Sequence, residues 1–283
     1  MKKRRIFVTG SAGFIGFHLS KLLLTEGHEV HGYDGMTDYY DVNLKQARHK
    51  LLENFSNFTN TVGMLEDHKL LYDDFKKFNP DVVIHLAAQA GVRYSLENPR
   101  AYIESNIVGT FNIMEAARKN SIKHLLMAST SSVYGANQNM PFDECDKADT
   151  QLTIYAATKK ANENMAHSYA YLHKLPTTMF RFFTVYGPWG RPDMALFKFT
   201  KQILNNDEID IYNNGEMYRD FTYVDDLVNG IRLLIDAIPE TGKSLCKTDS
   251  ISPVGPYRVV NIGNSKKIKL LDFIDAIESE LDI

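Results

Sequence analysis

Ile6-Phe7-Val8-Thr9-Gly10-Ser11-Ala12-Gly13-Phe14-Ile15-Gly16 decides the fold of this chain. Its first four residues read as a short strand, and Gly10, Gly13 and Gly16, spaced three apart, open an amphipathic helix over Phe14–Thr25. A glycine triplet alone proves little, because strand-to-helix turns need glycine anyway. Strand before and helix after is the context that turns it into a dinucleotide fingerprint. Gly10 serves the tight turn, Gly13 lets the backbone approach a pyrophosphate, and Gly16 allows close helix–strand packing. The N–H groups of the helix start, with Phe14 and Ile15 beside them, then face the phosphates. About 20 residues on, Asp34 ends the next strand, where a carboxylate accepts from a ribose 2′-hydroxyl and repels a 2′-phosphate. NAD is therefore expected over NADP.

Outward from this stretch, strands at Ile6–Thr9, Glu29–Tyr33, Val82–His85, His124–Ser129 and Thr177–Phe182 alternate with helical patterns at Phe14–Thr25, Ala101–Lys119 and Ile154–His173. Such alternation predicts right-handed crossovers and a doubly wound parallel sheet. After Phe183 the pattern loosens into the Gly- and Pro-rich Gly187–Pro192 and shorter elements, including helical runs near Asp225–Ile238 and from Leu270 onward. The stretch Thr241–Pro256 reads as a mobile surface loop.

The 283 residues give a prior of about two domains. Lys and Arg number 32 against 35 Asp and Glu, a net charge of −3 that offers no footprint for nucleic acid or an anionic membrane. No apolar run approaches the length of a membrane-spanning helix, and Lys2–Arg5 runs straight into a strand rather than a signal-peptide core. Two cysteines, Cys145 and Cys246, provide no disulfide framework and suit a reducing, cytoplasmic setting. The nine histidines show no metal-ligand spacing, so no metal is expected; His85 ends an apolar strand and reads as packed there.

Tyr155 and Lys159 stand at i and i+4, on one helix face. Tyr72 and Lys76 share that spacing, but nothing rich in hydroxyls precedes them. Tyr155 follows Ser129-Thr130-Ser131-Ser132 at the C-terminal end of a strand, where open α/β sheets bind ligands. Ionising a free phenol near pH 7 costs roughly 4 kcal/mol. A lysine ammonium about 4 Å away supplies roughly that much at an effective dielectric near 20. Thr130, Tyr155 and Lys159 thus form a candidate base relay, with Thr130 bonding the same substrate oxygen.

These motifs resemble the extended short-chain dehydrogenase/reductases, in the nucleotide-sugar epimerase/dehydratase branch, and most of all its UDP-glucuronate 4-epimerases. The resemblance runs through Asp34–Val42, His85–Ser95, Arg181–Met194 and Arg219–Asp226. It implies an α/β, Rossmann-type fold with a smaller C-terminal substrate-binding domain, and a homodimer joined by the helices at Ala101–Lys119 and Ile154–His173. Their apolar faces, Ile103, Ile107 and Phe111 with Ala161, Met165 and Tyr169, are equally able to be covered within one subunit. Tyr155 would take the proton of the sugar 4-hydroxyl while hydride passes to NAD, and the 4-keto sugar would turn and be reduced on its other face. Lys159 would hold the nicotinamide ribose, and Leu65 and Ala87 would border the cofactor. Met64 stands where relatives place an Asp over adenine; Asp67, at a helix start, is a weaker candidate for that pocket.

For the substrate, the resemblance implies a UDP-sugar. Related 4,6-dehydratases carry an Asp-Glu pair where this chain has Ser131 and Ser132, and two serines are poor at removing water. Thr184 stands where UDP-glucose 4-epimerases present Asn. Hydroxyls from Ser131, Ser132 and Thr184 would pin a uronate carboxylate and oppose loss of CO₂ from the β-keto acid. Arg191 and Arg219 are the candidates for the diphosphate, and Arg93 for phosphate or carboxylate. UDP-glucose 4-epimerase, UDP-glucuronate decarboxylase and a non-catalytic NAD-binding sensor or scaffold remain alternatives. The expected division is 1–182 plus 218–238 for the NAD-binding domain and 183–217 plus 239–283 for the substrate domain. Ser279–Ile283 lies in a helical pattern with no stop signal, so that second domain is expected to be short of its end.

Overall fold

The computed structural model describes residues 2–209, 211 and 215–282. Seven parallel strands form its central sheet: β1 (Arg5–Thr9), β2 (Glu29–Asp34), β3 (Phe58–Val62), β4 (Val82–His85), β5 (His124–Thr130), β6 (Thr177–Phe182) and, far along the chain, β10 (Tyr257–Ile262). Their order is β10-β6-β5-β4-β1-β2-β3, so the winding reverses between β1 and β4. Open sheets bind ligands beyond the strand ends at such a reversal.

Successive side chains of a strand point to opposite faces, and here both faces are apolar. Ile6 and Val8, Val82 and Ile84, and Leu126 and Ala128 enter one core, against α1 (Phe14–Thr25) and α9 (Val224–Leu234). Phe7, Val83, Leu125 and Met127 enter the other, against α3 (His68–Phe78), α6 (Thr110–Lys119) and α7 (Ile154–His173). Helix α2 (Val42–Leu52) follows β2.

Two expectations need correction. The single helix expected over Ala101–Lys119 is broken: short α4 (Tyr94–Glu97) and α5 (Pro99–Tyr102) lead into a π-helical segment, Ile103–Gly109, before α6. Within it Asn106 is buried, with Nδ2 donating to Gln89 O at 3.0 Å and to Thr158 Oγ1 at 3.1 Å. An extra residue in the turn aims that amide inward, as π-bulges near sites do. Second, residues 239–283 do not all lie outside the main sheet. Tyr257–Ile262 pairs with β6 along its whole length, because its apolar residues complete an otherwise open edge.

Beyond Phe183, β7 (Thr184–Tyr186) pairs with β9 (Phe221–Tyr223) and β8 (Tyr218–Arg219) with β11 (Ile268–Lys269). Helices α8 (Ala195–Leu204) and α10 (Leu270–Glu280) belong to this part, and Phe273 stacks on Phe221 with ring centres 4.3 Å apart. The 241–256 stretch is irregular and largely exposed, yet tied down: Arg258 pairs with Asp249 at 2.9 Å, and His167 Nε2 lies 2.9 Å from Ser252 Oγ. Both cysteines are free thiols at the surface. Among the described residues no helix is long and apolar enough to cross a membrane.

Candidate active site

A cleft of about 1020 Å³ opens over the C-terminal ends of β1, β4, β5 and β6. Every residue assigned to a site from the sequence lines it: Gly10, Gly13, Phe14, Ile15, Gly16, Asp34, Leu65, Ala87, Arg93, Thr130, Ser131, Ser132, Tyr155, Lys159, Thr184, Arg191 and Arg219.

At the β1 end the glycines are sterically required. Gly10 has φ +74°, and a Cβ on it would stand 2.8 Å from Ala87 N. A Cβ on Gly16 would stand 2.0 Å from Gly10 O, inside any allowed contact. Among the described residues no side chain caps α1, which leaves its first N–H groups free for a ligand in the cleft. Asp34 is fixed by two backbone donors, Ala12 N to Oδ2 at 3.0 Å and Met36 N to Oδ1 at 2.9 Å. Those bonds use half of a carboxylate's acceptor capacity and leave the rest for a ribose. This bare helix start, glycine cradle and oriented carboxylate fit a dinucleotide.

The adenine side differs from the simplest expectation. Leu65 is buried at the wall, its carbonyl accepting from Asn112 Nδ2 at 2.8 Å, and Met64, 44 % exposed, lines the cleft with a thioether. Asp67 caps α3 instead, accepting from Leu70 N at 3.0 Å, and is not part of the cleft wall. Tyr72 packs against the core below α3, with Lys119 over its ring, which disposes of the second Tyr/Lys pair. His85 bridges Thr9 Oγ1 at 2.7 Å and Thr110 Oγ1 at 3.0 Å, and burial pulls it down to about 3, so it is a neutral support beneath the site.

At the catalytic end, Thr153 caps α7 by accepting from Ala156 N at 3.2 Å, which fixes the first turn carrying Tyr155. Thr130 ends β5, accepts from Ser132 N at 3.2 Å, and its hydroxyl favours the ionised form of the Tyr155 phenol. Burial pushes Tyr155 up, opposed by Thr130 and by the Arg191 guanidinium. The cation that opposes this rise is Arg191, and desolvation outweighs it. Lys159, 2 % exposed, is itself drawn down to about 8 by burial, with Glu163 opposing the shift. Among the described residues its Nζ has no hydrogen-bond acceptor, so a buried ammonium faces the cleft where a ribose hydroxyl would lie.

Thr184, Ser131 and Ser132 bring three hydroxyls to the same end, Thr184 being held by its N–H to Asp220 O at 2.9 Å. Arg219 and Arg93 are exposed and also line the cleft. Arg191 lines the same cleft, and its charge acts on the Tyr155 phenol. Its fork grips Asp193, Nε to Oδ1 at 3.0 Å and Nη2 to Oδ2 at 2.6 Å, and Tyr39 OH donates to the same carboxylate at 3.1 Å. A diphosphate contact by that fork would have to displace Asp193. Sequence reasoning named neither Tyr39 nor Asp193 as a functional residue, although Arg191-Pro192-Asp193 advertises an ion pair by its spacing. It also missed Lys45, buried at the cleft wall with Nζ donating to Thr37.

The model of the NAD dependent epimerase/dehydratase family matches residues 6–263. The chain belongs to that family. Among epimerase/dehydratase family members, it is 54 % identical over 277 residues to a probable UDP-glucuronate 4-epimerase of Rhizobium meliloti (strain 1021), covering 97 % of this chain and 81 % of that protein. The solved UDP-glucuronic acid 4-epimerase of Bacillus cereus, in complex with UDP-glucuronic acid and NAD, superposes with a TM-score of 0.85 at 33 % identity, over 99 % of this chain and 83 % of that one. The UDP-glucose 4-epimerase of Thermotoga maritima, solved with UDP-glucose, gives 0.82 at 27 % identity, over 97 % and 82 %.

Proposed function

We propose that this chain is a NAD-dependent 4-epimerase that interconverts UDP-glucuronate and UDP-galacturonate. The observation that carries the reading is the convergence of Thr130, Tyr155 and Lys159 with Ser131, Ser132 and Thr184 at one end of the cleft. Bound NAD would supply the hydride acceptor and donor for carbon 4 of the sugar. Gly10, Gly13, Gly16 and Asp34 would hold its adenosine diphosphate half, and Lys159 its nicotinamide ribose. Tyr155 removes the 4-hydroxyl proton and gives it back, and Thr130 keeps the phenol oriented.

The keto sugar formed from a uronate is a β-keto acid, prone to lose CO₂ when its carboxylate turns out of plane. Three neutral hydroxyls suit that carboxylate: they hold it by charge-assisted hydrogen bonds without neutralising it. The same strip lacks the acid/base pair that elimination of water demands, which favours epimerisation over dehydration.

Incubation with UDP-glucuronate and NAD, with products resolved by chromatography, tests the reading. UDP-galacturonate is expected; exclusive formation of a UDP-pentose, or no turnover of any uronate, overturns it. Replacing Tyr155 with Phe should lower kcat by at least about 100-fold, the usual contribution of a positioned base.

The division into a cofactor part and a smaller substrate part built after Phe183 belongs to this reading, with β10 added to the former. So does a homodimer: Ile103, 47 % exposed, and Phe111, 45 % exposed, leave an apolar face open, whereas Met165 and Tyr169 are already packed on the chain's own core. Light scattering after size exclusion reads the state directly. A cytoplasmic setting fits two free surface thiols.

A further inference from the structure

Beneath the cleft, one carboxylate with almost no exposure is gripped by three side chains. Glu163 Oε1 accepts from Ser129 Oγ at 2.7 Å and from Arg181 Nε at 2.9 Å. Its Oε2 accepts from Arg181 Nη2 at 2.9 Å and from Lys160 Nζ at 3.0 Å. Arg181 and Glu163 are 3 % and 2 % exposed. Burying such a pair costs several kcal/mol per ion before their attraction repays it, and a packed apolar pair of the same volume is often as stable. Stability alone is therefore a weak reason for this arrangement.

Its chain neighbours give a better one. Ser129 immediately precedes Thr130 on β5. Arg181 on β6 precedes Phe182, Phe183 and Thr184. Glu163 lies one helical turn past Lys159 and two past Tyr155, on the same face of α7. A single carboxylate thus ties together the three elements that deliver Thr130, Thr184 and the Tyr155–Lys159 pair.

The titratable groups of this region are His85 on β4, neutral between two threonines, Tyr155 and Lys160 on the same helix as Lys159, Arg181 on β6 over the Tyr134 ring at 4.7 Å, Tyr257 on β10, and the Arg191–Asp193 pair in the loop after β7. Asp193 is held by Arg191, which leaves Glu163 as the carboxylate on the helix of Lys159. We propose that Glu163 is a positioning residue for the reaction, the buried counter-charge of the Lys159 ammonium and the tie that sets β5 and β6 against α7. The proposal rests on the reading of Tyr155 and Lys159 given above. It accords with Glu163 being what opposes the desolvation of Lys159, which titrates at about 8. It also explains how an ammonium without a protein acceptor stays charged at neutral pH.

Two measurements test it, both across pH: kcat/KM for UDP-glucuronate, and NADH affinity followed by fluorescence. Each should fall on the alkaline side as Lys159 loses its proton. In Glu163→Gln, that alkaline limb should move to lower pH by about one unit, the usual effect of removing a close opposite charge. Because the single variant strands Arg181 as a lone buried charge, Glu163→Gln/Arg181→Gln serves as the second variant; it removes that pair together, leaves Lys159 without its counter-charge, and should show a downward move in a folded protein, lessened by the loss of the Arg181 cation. A limb at the wild-type pH in the folded double variant, even with kcat lower at every pH, means a merely structural tie and overturns the proposal. Failure of the underlying reading looks different. A fully active Tyr155→Phe would remove the base, while a moved NADH-binding limb would still report the Glu163–Lys159 coupling.

Discussion

Arg48 and Trp189 are 141 residues apart and joined by a hydrogen bond, Nη2 to the tryptophan carbonyl at 2.6 Å. The same guanidinium donates through Nη1 to Ala12 O at 2.9 Å, inside the glycine loop, and to Tyr40 OH at 2.7 Å. Arg48 is fully buried, so one side chain clasps the cofactor loop to the loop that carries Arg191 and Asp193. Arg48→Met would leave these acceptors buried and unpaired. A loss of about 3 kcal/mol of stability is expected, measured by urea unfolding, together with weaker binding of both NAD and UDP-sugar.

Gly16→Ala places a methyl 2.0 Å from Gly10 O, whereas Gly13→Ala places one at 3.0 Å from the same atom. The first clash is with backbone and has no side chain to move aside. Gly16→Ala is expected to abolish NADH binding in a fluorescence titration, and Gly13→Ala to fold and bind more weakly.

Acid should destabilise the protein well above the range where carboxylates titrate. Burial holds His85 down to about 3 and His124 to about 4, against 6.5 for the free side chain. Below pH 6.5 the unfolded chain takes up these two protons and the folded chain does not. The stability they contribute is present above pH 6.5 and is lost as pH falls towards the folded values. Urea unfolding near pH 5 should show stability declining by roughly 2.5 kcal/mol per pH unit from this pair.

Thr184→Val keeps the shape of the residue and removes one hydroxyl from the end of the cleft. With the uronate carboxylate less restrained, the fraction of turnovers releasing CO₂ and a UDP-pentose should rise, while oxidation at carbon 4 falls by less than about tenfold. Product analysis by chromatography with CO₂ capture checks both.

What was legible in the sequence follows from the range over which its signals act. Strands β1, β4 and β5 are short apolar runs because both faces are covered, and the glycine spacing and the Tyr155/Lys159 step are local patterns. Strand β3, Phe58-Thr59-Asn60-Thr61-Val62, sits at the sheet edge, where only Phe58 needs to be buried, so its polar composition reads as loop. The π-helical segment at Ile103–Gly109 left no mark because one inserted residue does not disturb composition. Asn106, which it turns inward, was invisible for the same reason. Glu163 was one helical step beyond Lys159 and open to notice, but its partner Arg181 is fixed by strand pairing alone. The Arg48 clasp has no local signature, since its partners meet only after the whole sheet has formed.

The late position of β10 has a consequence for how the molecule comes into being on the ribosome. Until Tyr257–Ile262 has emerged, β6 is a bare edge offering unpaired backbone groups to any neighbouring nascent chain. The loop fingerprint that receives the cofactor is made with the first strand, long before the strand that seals the far edge of its sheet. Early capture of NAD by the first strands, or shielding by a chaperone, would therefore matter most during that interval.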